Sequence, residues 1–245
     1  MVSRCALNVC GRANKPRMTK KMKPTTKEPQ YQILTDVAEQ LGVASLGLMF
    51  NEAWQRDPRR ALFVLSRYKF VAKMLEGTNS VLEVGCGDAF GTRIVQQSVG
   101  KICAIDFDPV FIADAVQRQA QHWPFDALVH DIVAAPMDET FDAAYSLDVL
   151  EHIDAKSENR FLENICSSLT KTGVLLIGTP SLESQQYASR QSKEGHVNCK
   201  SGNALREFLN RYFHNVFLFS MNDEVLHTGF SPMAHYLFCL CCGKR

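Results

Sequence analysis

No stretch of this sequence approaches the roughly 18 consecutive apolar residues of a membrane-crossing helix, so no transmembrane span is expected. Its beginning, MVSRCALNVCGRANKPRMTKKMKPTTKEP, also lacks the apolar core of a secretory signal. Paired cysteines are missing too. The nine cysteines, at 5, 10, 86, 103, 166, 199, 239, 241 and 242, are odd in number and unpaired in spacing, which argues against a disulfide framework. Cys239-Leu-Cys-Cys242 ends an apolar run, HYLFCLCC, and has no second Cys/His pair at finger spacing. Its thiols read as small hydrophobes of a buried strand. The expected setting is cytoplasmic. No internal repeat is visible.

What is present is an ordinary globular composition: 245 residues, 46% apolar and 22% charged. That length suits one α/β domain with extra helices. The net charge of +1 hides an asymmetry, because residues 1–28 hold eight Lys or Arg against one Glu, leaving the rest at −6. The basic segment could serve nucleic acid or an acidic membrane surface. It has almost nothing to bury, so residues 1–29 are expected to be a structureless tail. The acidic body speaks against a nucleic-acid enzyme, and no membrane partner is expected. A homodimer is left open.

Residues 30–77 read as a helical cap. An amphipathic helix is expected over roughly 31–47, and a second opens near Pro58, with Val64, Tyr68, Val71 and Leu75 on one face. From 78 the chain alternates. Strands are expected at 80–85, 101–106, 126–131, 141–147, 173–178, 214–220 and 235–241, with helices at 157–169 and at 201–212, where Ser201 can cap. Near-continuous apolar strands separated by helices imply a mostly parallel, Rossmann-like sheet covered on both faces. No strong helix separates the last two strands, so the final strand is expected to be antiparallel. The insert 180–200, PSLESQQYASRQSKEGHVNCK, is polar and aperiodic, the composition of a lid or binding loop.

Ligands of such sheets bind beyond the carboxyl ends of the strands. After the first strand stands Gly85-Cys-Gly-Asp-Ala-Phe-Gly91, one residue longer than a dinucleotide fingerprint. After the second comes Asp106, placed to accept from a ribose diol, and after the third Asp131, able to accept from an exocyclic amine. After the fourth comes Leu147-Asp-Val-Leu-Glu-His152. Each alone has a plain explanation as turn or cap. Their succession at four strand ends points to a nucleotide-like ligand.

Residues 78–181 resemble the core of the class I S-adenosylmethionine-dependent methyltransferases: VLEVGCG, AIDFDP, VHDI, FDAAYSLDVLEHI and LLIGTPS follow that family's order. The resemblance implies S-adenosyl-L-methionine as cofactor. Its methionine half would lie along Gly85, Cys86 and Gly87 near Glu83 and Leu147. Asp106 and Phe107 would hold the ribose side, Asp131 and Ile132 the adenine. Where the family often has a third glycine this chain has Ala89. Arg67-Tyr68-Lys-Phe70 is similar to segments in which Arg and Tyr reach the cofactor carboxylate; a solvated helix Arg beside a core Tyr is the other reading.

Methyl transfer from a sulfonium is an in-line displacement, and a hydroxyl acceptor needs a base. His196 in the insert and His152 after the fourth strand are the candidates. Asp148-Val-Leu-Glu151-His152 also looks like the E-x-x-E-H segment of ubiquinone-pathway O-methyltransferases, which holds a divalent metal, although one helix start explains it equally. No metal is expected here. Arg56, Arg59 and Arg60 could receive an anionic group at the pocket mouth. The GHVNCKSG and HNVFLFSMNDE segments are similar to methyltransferases found with surface-polysaccharide genes, which makes a sugar or nucleotide-linked sugar the expected small-molecule acceptor. A nicotinamide oxidoreductase lacks both its glycine spacing and a Tyr-x-x-x-Lys pair. A non-catalytic binder of the cofactor is the remaining alternative.

Overall fold

The computed structural model of the chain describes residues 24–245. Most of the basic segment, with Cys5 and Cys10, lies outside them. Two compact units are present, one ending at Val43 and the other spanning Ala44–Arg245. In the first, a 3₁₀ turn (Pro29–Tyr31) leads into α1 (Gln32–Leu41). No residue of α1 is buried. The expected helix over 31–47 is therefore corrected to a shorter one. It stops at Gly42, whose φ of 76° no helix continues, and α2 (Leu48–Arg56) begins separately.

The second unit is built on one eight-stranded sheet: β1 (Ser80–Val84), β2 (Lys101–Asp106), β3 (Asp126–Val129), β4 (Phe141–Leu147), β5 (Leu169–Pro180), β6 (Phe213–Asn222), β7 (Val225–His227) and β8 (Tyr236–Lys244). The spatial order is β3-β2-β1-β4-β5-β8-β6-β7. Strands β1 to β5 pair in parallel, and β8 is antiparallel to both β5 and β6. Seven strands were expected, and the additional one is β7. It folds back on β6 across a tight turn whose Asp223 has φ 52°, and three residues are too few to show an alternating pattern. Order reverses between β1 and β4, which opens the ligand crevice at their carboxyl ends.

Both faces are covered. Val81, Ile102, Tyr145, Leu176 and Phe238 pack against Tyr68 and Val71 of α3 (Pro58–Met74), Leu75 at its C-cap and Val95 of α4 (Thr92–Gln96). The alternate residues Leu82, Val84, Ile105, Leu175 and Ile177 pack against Phe161, Leu162 and Ile165 of α6 (Glu158–Ser167) and against Leu205 and Leu209 of α8 (Gly202–Leu209). Between β2 and β3, α5 (Pro109–Arg118) sets Ile112 and Ala115 on Ala104. Each fully buried aliphatic contributes about 1.5–3 kcal/mol, so the sheet's strand ends are held by a rigid support.

Local signals fix where these helices begin. Asp57 and Asp108 each precede a proline, and each side chain accepts the N–H two residues on, from Arg59 (3.3 Å) and Val110 (2.8 Å). Ser201 caps α8 through Ala204 N, at 3.3 Å. Cys239 and Cys241 are buried in β8, and all seven described cysteines are free. Among the described residues no helix is long and apolar enough to cross a membrane.

Candidate active site

The chain leaves β1 through a turn that only bare backbone can make. Gly85 and Gly87 have φ of 75° and 53°, and the N–H groups of Gly85 and Cys86 both donate to Ile105 O, at 2.8 and 2.9 Å. A Cβ at Gly85 would strike Val149, and one at Gly87 would lie 2.6 Å from Met49 Sδ. Ala89 also sits at φ 51°, which explains why glycine suits that place. Asp106 closes the turn. Its Oδ2 accepts from Gly87 N and its Oδ1 from Asp108 N, both at 2.9 Å, which leaves lone pairs on both oxygens for a diol. Cys86 is buried, which pushes its thiol far up and makes it inert.

Glu83 and Tyr68 lie beneath this turn. Glu83 Oε1 accepts from the Tyr68 hydroxyl (3.1 Å) and Oε2 from Thr92 Oγ1 (2.5 Å), so the pair ties α3 and the start of α4 to β1. Burial pushes the Glu83 carboxyl up to about 7, although the surrounding hydroxyls, Thr92 first, pull the other way. Phe107 beside Asp106 is 74% exposed. Asp131, past the end of β3, is exposed and accepts from Val133 N at 2.9 Å. Its backbone neighbour His130 donates to Asp106 O at 2.9 Å, which brings Asp106 and Asp131 to one end of the sheet. Ile132 is buried in the core and takes Asn164 Nδ2 on its carbonyl. Leu147 is buried at the end of β4.

Arg67 faces the β4 side of the crevice. Its Nη1 donates to both oxygens of Asp148, at 2.8 and 2.7 Å, and its guanidinium lies 3.9 Å from the Tyr236 ring centre. Asp148 therefore stands apart from the metal-binding grouping that its sequence context resembles. Arg56, Arg59 and Arg60 are each paired with Glu52 or Asp57 on an exposed surface, which leaves them little to offer an anionic ligand.

Past β4, a 3₁₀ turn (Leu150–His152) carries Glu151 into the interior, with no exposed surface. Glu151 Oε2 accepts from Thr179 Oγ1 at 3.1 Å, and Oε1 has no partner. Burial first, then the nearby Asp148 charge, pushes the carboxyl up to about 8. The insert packs onto this turn. It contains a 3₁₀ segment (Glu183–Tyr187) and α7 (Arg190–Gly195), and Ser181 bridges Lys200 at its base. Val197 N and Asn198 N both donate to Glu151 O, at 2.8 and 3.0 Å.

The same packing orients two imidazoles. His152 Nδ1 lies 2.9 Å from Gly195 O, and His196 Nδ1 lies 2.8 Å from Gln185 Oε1. Both partners can only accept, so these contacts assign a proton to each Nδ1 and leave each neutral ring a bare Nε2. Burial, and next the neighbouring His152, lowers the His196 pKa and keeps it neutral. The ring centres are 5.0 Å apart. A carboxylate oxygen of Glu151 and one nitrogen from each ring lie within 4.8 Å of one another, the one such donor group among the described residues. Histidines oriented through Nδ1 beside a carboxylate are a donor set that could hold a divalent cation. Sequence reasoning found both histidines. It missed Thr179 and Gln185, which give no local signal, and it left Glu151 between a metal ligand and part of a helix start.

Residues 82–177 match the family model of the methyltransferase domain. Over 101 residues the chain is 25% identical to a probable S-adenosylmethionine-dependent methyltransferase of Mycobacterium tuberculosis, covering 41% of this chain and 35% of that protein. Residues 82–177 are thus similar to an S-adenosylmethionine-dependent methyltransferase domain. The chain spans about a third of the length of the curated relatives it matches. The fold of this chain is shared with N-methyltransferase NodS from Bradyrhizobium japonicum in complex with S-adenosyl-L-homocysteine, at TM-score 0.59 and 17% identity over 78% of this chain and 90% of that one. An S-adenosylmethionine-dependent methyltransferase from Clostridium acetobutylicum superposes at TM-score 0.62, with 12% identity over 79% and 97%. The chain's own geometry fits S-adenosylmethionine. The glycine turn presents backbone alone, and Asp106 keeps lone pairs for a ribose beside it.

Proposed function

We propose that this chain transfers the methyl group of S-adenosyl-L-methionine to a hydroxyl on a small-molecule acceptor. Gly85, Cys86 and Gly87 receive the methionine half, Asp106 and Phe107 the ribose side, Asp131 and Ile132 the adenine. The cofactor supplies an electrophilic methyl. The protein's task is to align the acceptor oxygen behind it and to remove the hydroxyl proton. The observation that carries this reading is the cluster past β4. One ring nitrogen each of His152 and His196 and a carboxylate oxygen of Glu151 lie within 4.8 Å of one another, and Glu151 Oε1 has no partner. His196 is the favoured base, because it is held neutral and sits on the insert that covers the acceptor side.

A second reading keeps the same reaction and gives the cluster a divalent cation that binds the acceptor oxygen. The buried, partnerless Oε1 of Glu151 favours it, since such an oxygen ordinarily has a donor or a metal. The acceptor we favour is a sugar hydroxyl. That choice rests on the likeness of the insert and of β6 to polysaccharide-associated methyltransferases and on the polar insert itself, not on the arginines of 56–60.

Calorimetric titration of the purified protein with S-adenosylmethionine, S-adenosylhomocysteine and NAD tests the cofactor. Binding of both adenosyl ligands without NAD supports the reading, and no adenosyl binding removes it. Methylation of a panel of sugars and amines then tests the acceptor class, and chelation of divalent cations separates the two forms of the cluster.

A further inference from the structure

Asp148 is one of three described non-glycine residues with positive φ, at 57°, a strained conformation for a residue with a side chain. Its backbone N–H donates to Gly178 O at 3.0 Å, and its neighbour Val149 presses on Gly85. The strained residue thus stands at the junction of β4, β5 and the glycine turn. Both of its carboxylate oxygens are spent on one nitrogen of Arg67, Nη1. The Tyr236 ring supports the guanidinium at 3.9 Å. The opposite edge of the guanidinium is unused, and Nε is buried without a partner. An arginine offers two edges, and a carboxylate docks in a bidentate manner on the one formed by Nε and Nη2.

We infer that Asp148 is a positioning residue: by gripping Nη1 of Arg67 it presents the free Nε edge to the carboxylate of the cofactor's amino-acid half. The inference rests on the cofactor reading above. Asp148 touches no part of the ligand in this arrangement. It sets the direction of a flexible cation that would otherwise sample many rotamers, and Tyr236 fixes the plane.

The test compares S-adenosylmethionine with its decarboxylated form, which lacks only the carboxylate, by calorimetry on wild type, D148N and D148G. Asparagine keeps the side-chain shape and tolerates positive φ, and glycine removes the carboxylate while relieving the strain. Wild type should prefer the carboxylated ligand by on the order of 10–100-fold, the worth of one or two charge-assisted hydrogen bonds. Both variants should lower that preference about tenfold and leave affinity for the decarboxylated ligand within about twofold. R67K should do the same, since lysine has no second edge.

Equal weakening of both ligands would reduce Asp148 to a structural role and overturn the inference. An unchanged preference, or tighter binding of the carboxylated ligand in D148N, would also overturn it, the latter because Asp148 would then compete for Arg67. If wild type binds neither ligand, the cofactor reading itself fails. If wild type binds both and only the ratio is unaffected by the variants, the cofactor reading stands and the role of Asp148 does not.

Discussion

Asp106 and Glu151 are both buried carboxylates at the ligand end of the sheet, and they are committed in opposite ways. Each oxygen of Asp106 receives a backbone N–H at 2.9 Å, from the turn it braces and from the start of α5. Glu151 receives one hydroxyl, and its other oxygen has nothing. On the proposed reading, the cofactor side is thus assembled from main chain that regular elements fix in place. The acceptor side would then be assembled from side chains on a 3₁₀ turn and an irregular insert, with lone pairs left over. A site that binds one invariant ligand gains from the first kind of construction. A site that handles a proton, or recruits a cation, needs the second.

If this division holds, substitutions on the two sides should separate rate from affinity. The largest effect is expected for His196→Ala, which should lower kcat by roughly 10²–10⁴-fold while the Kd for S-adenosylhomocysteine, read by calorimetry, changes less than about twofold. A matching loss of affinity would erase the division. Asp106→Ala should do the reverse. The Kd for S-adenosylhomocysteine should rise by the worth of one charge-assisted hydrogen bond, about 1.5–3 kcal/mol, and saturating ligand should restore much of the rate.

Glu83 sharpens the comparison from below the turn. Its carboxyl titrates near 7 in the folded chain, against about 4.5 unfolded. Below pH 4.5 both states hold the proton, and between 4.5 and 7 only the folded state does. The stability this group contributes is therefore full below about 4.5 and falls as pH rises to about 7. Denaturant titrations of wild type and Glu83→Gln across that window should show a downward slope in wild type that the variant lacks. The smallest effect is expected in α1. Leu34→Ser replaces a side chain that is 64% exposed, and the change in unfolding free energy should stay within about 0.5 kcal/mol.

The sheet was largely legible because parallel strands buried on both faces are written as apolar runs, and turns such as Gly85-Cys-Gly87 are local chemistry. What escaped was tertiary. α1 stops at Gly42, but the start of α2 follows Gly47, where a side chain would collide with Asp88 and Arg118, contacts no local window contains. Strand β7 is three residues long and exists only as a partner of β6. On the acceptor side both histidines could be named, but not their order of assembly. Gln185 and Gly195 orient them through contacts 11 and 43 residues away in sequence. The pairing of Arg67 with Asp148 spans 81 residues and left no trace in the spacing of either segment.

The bridge between Ser181 and Lys200 joins the two roots of the insert at the end of β5. Closing a loop at its base shifts the entropic cost of its length onto residues that the sheet already fixes. Residues 183–195 are therefore a cassette. Gln185 and Gly195 within them hold His196 and His152, so an exchanged segment must keep those two contacts while the rest of its length and chemistry varies. On the proposed reading, a lineage, or an engineer, can vary the acceptor through this segment while the glycine turn and Asp106 are inherited unchanged.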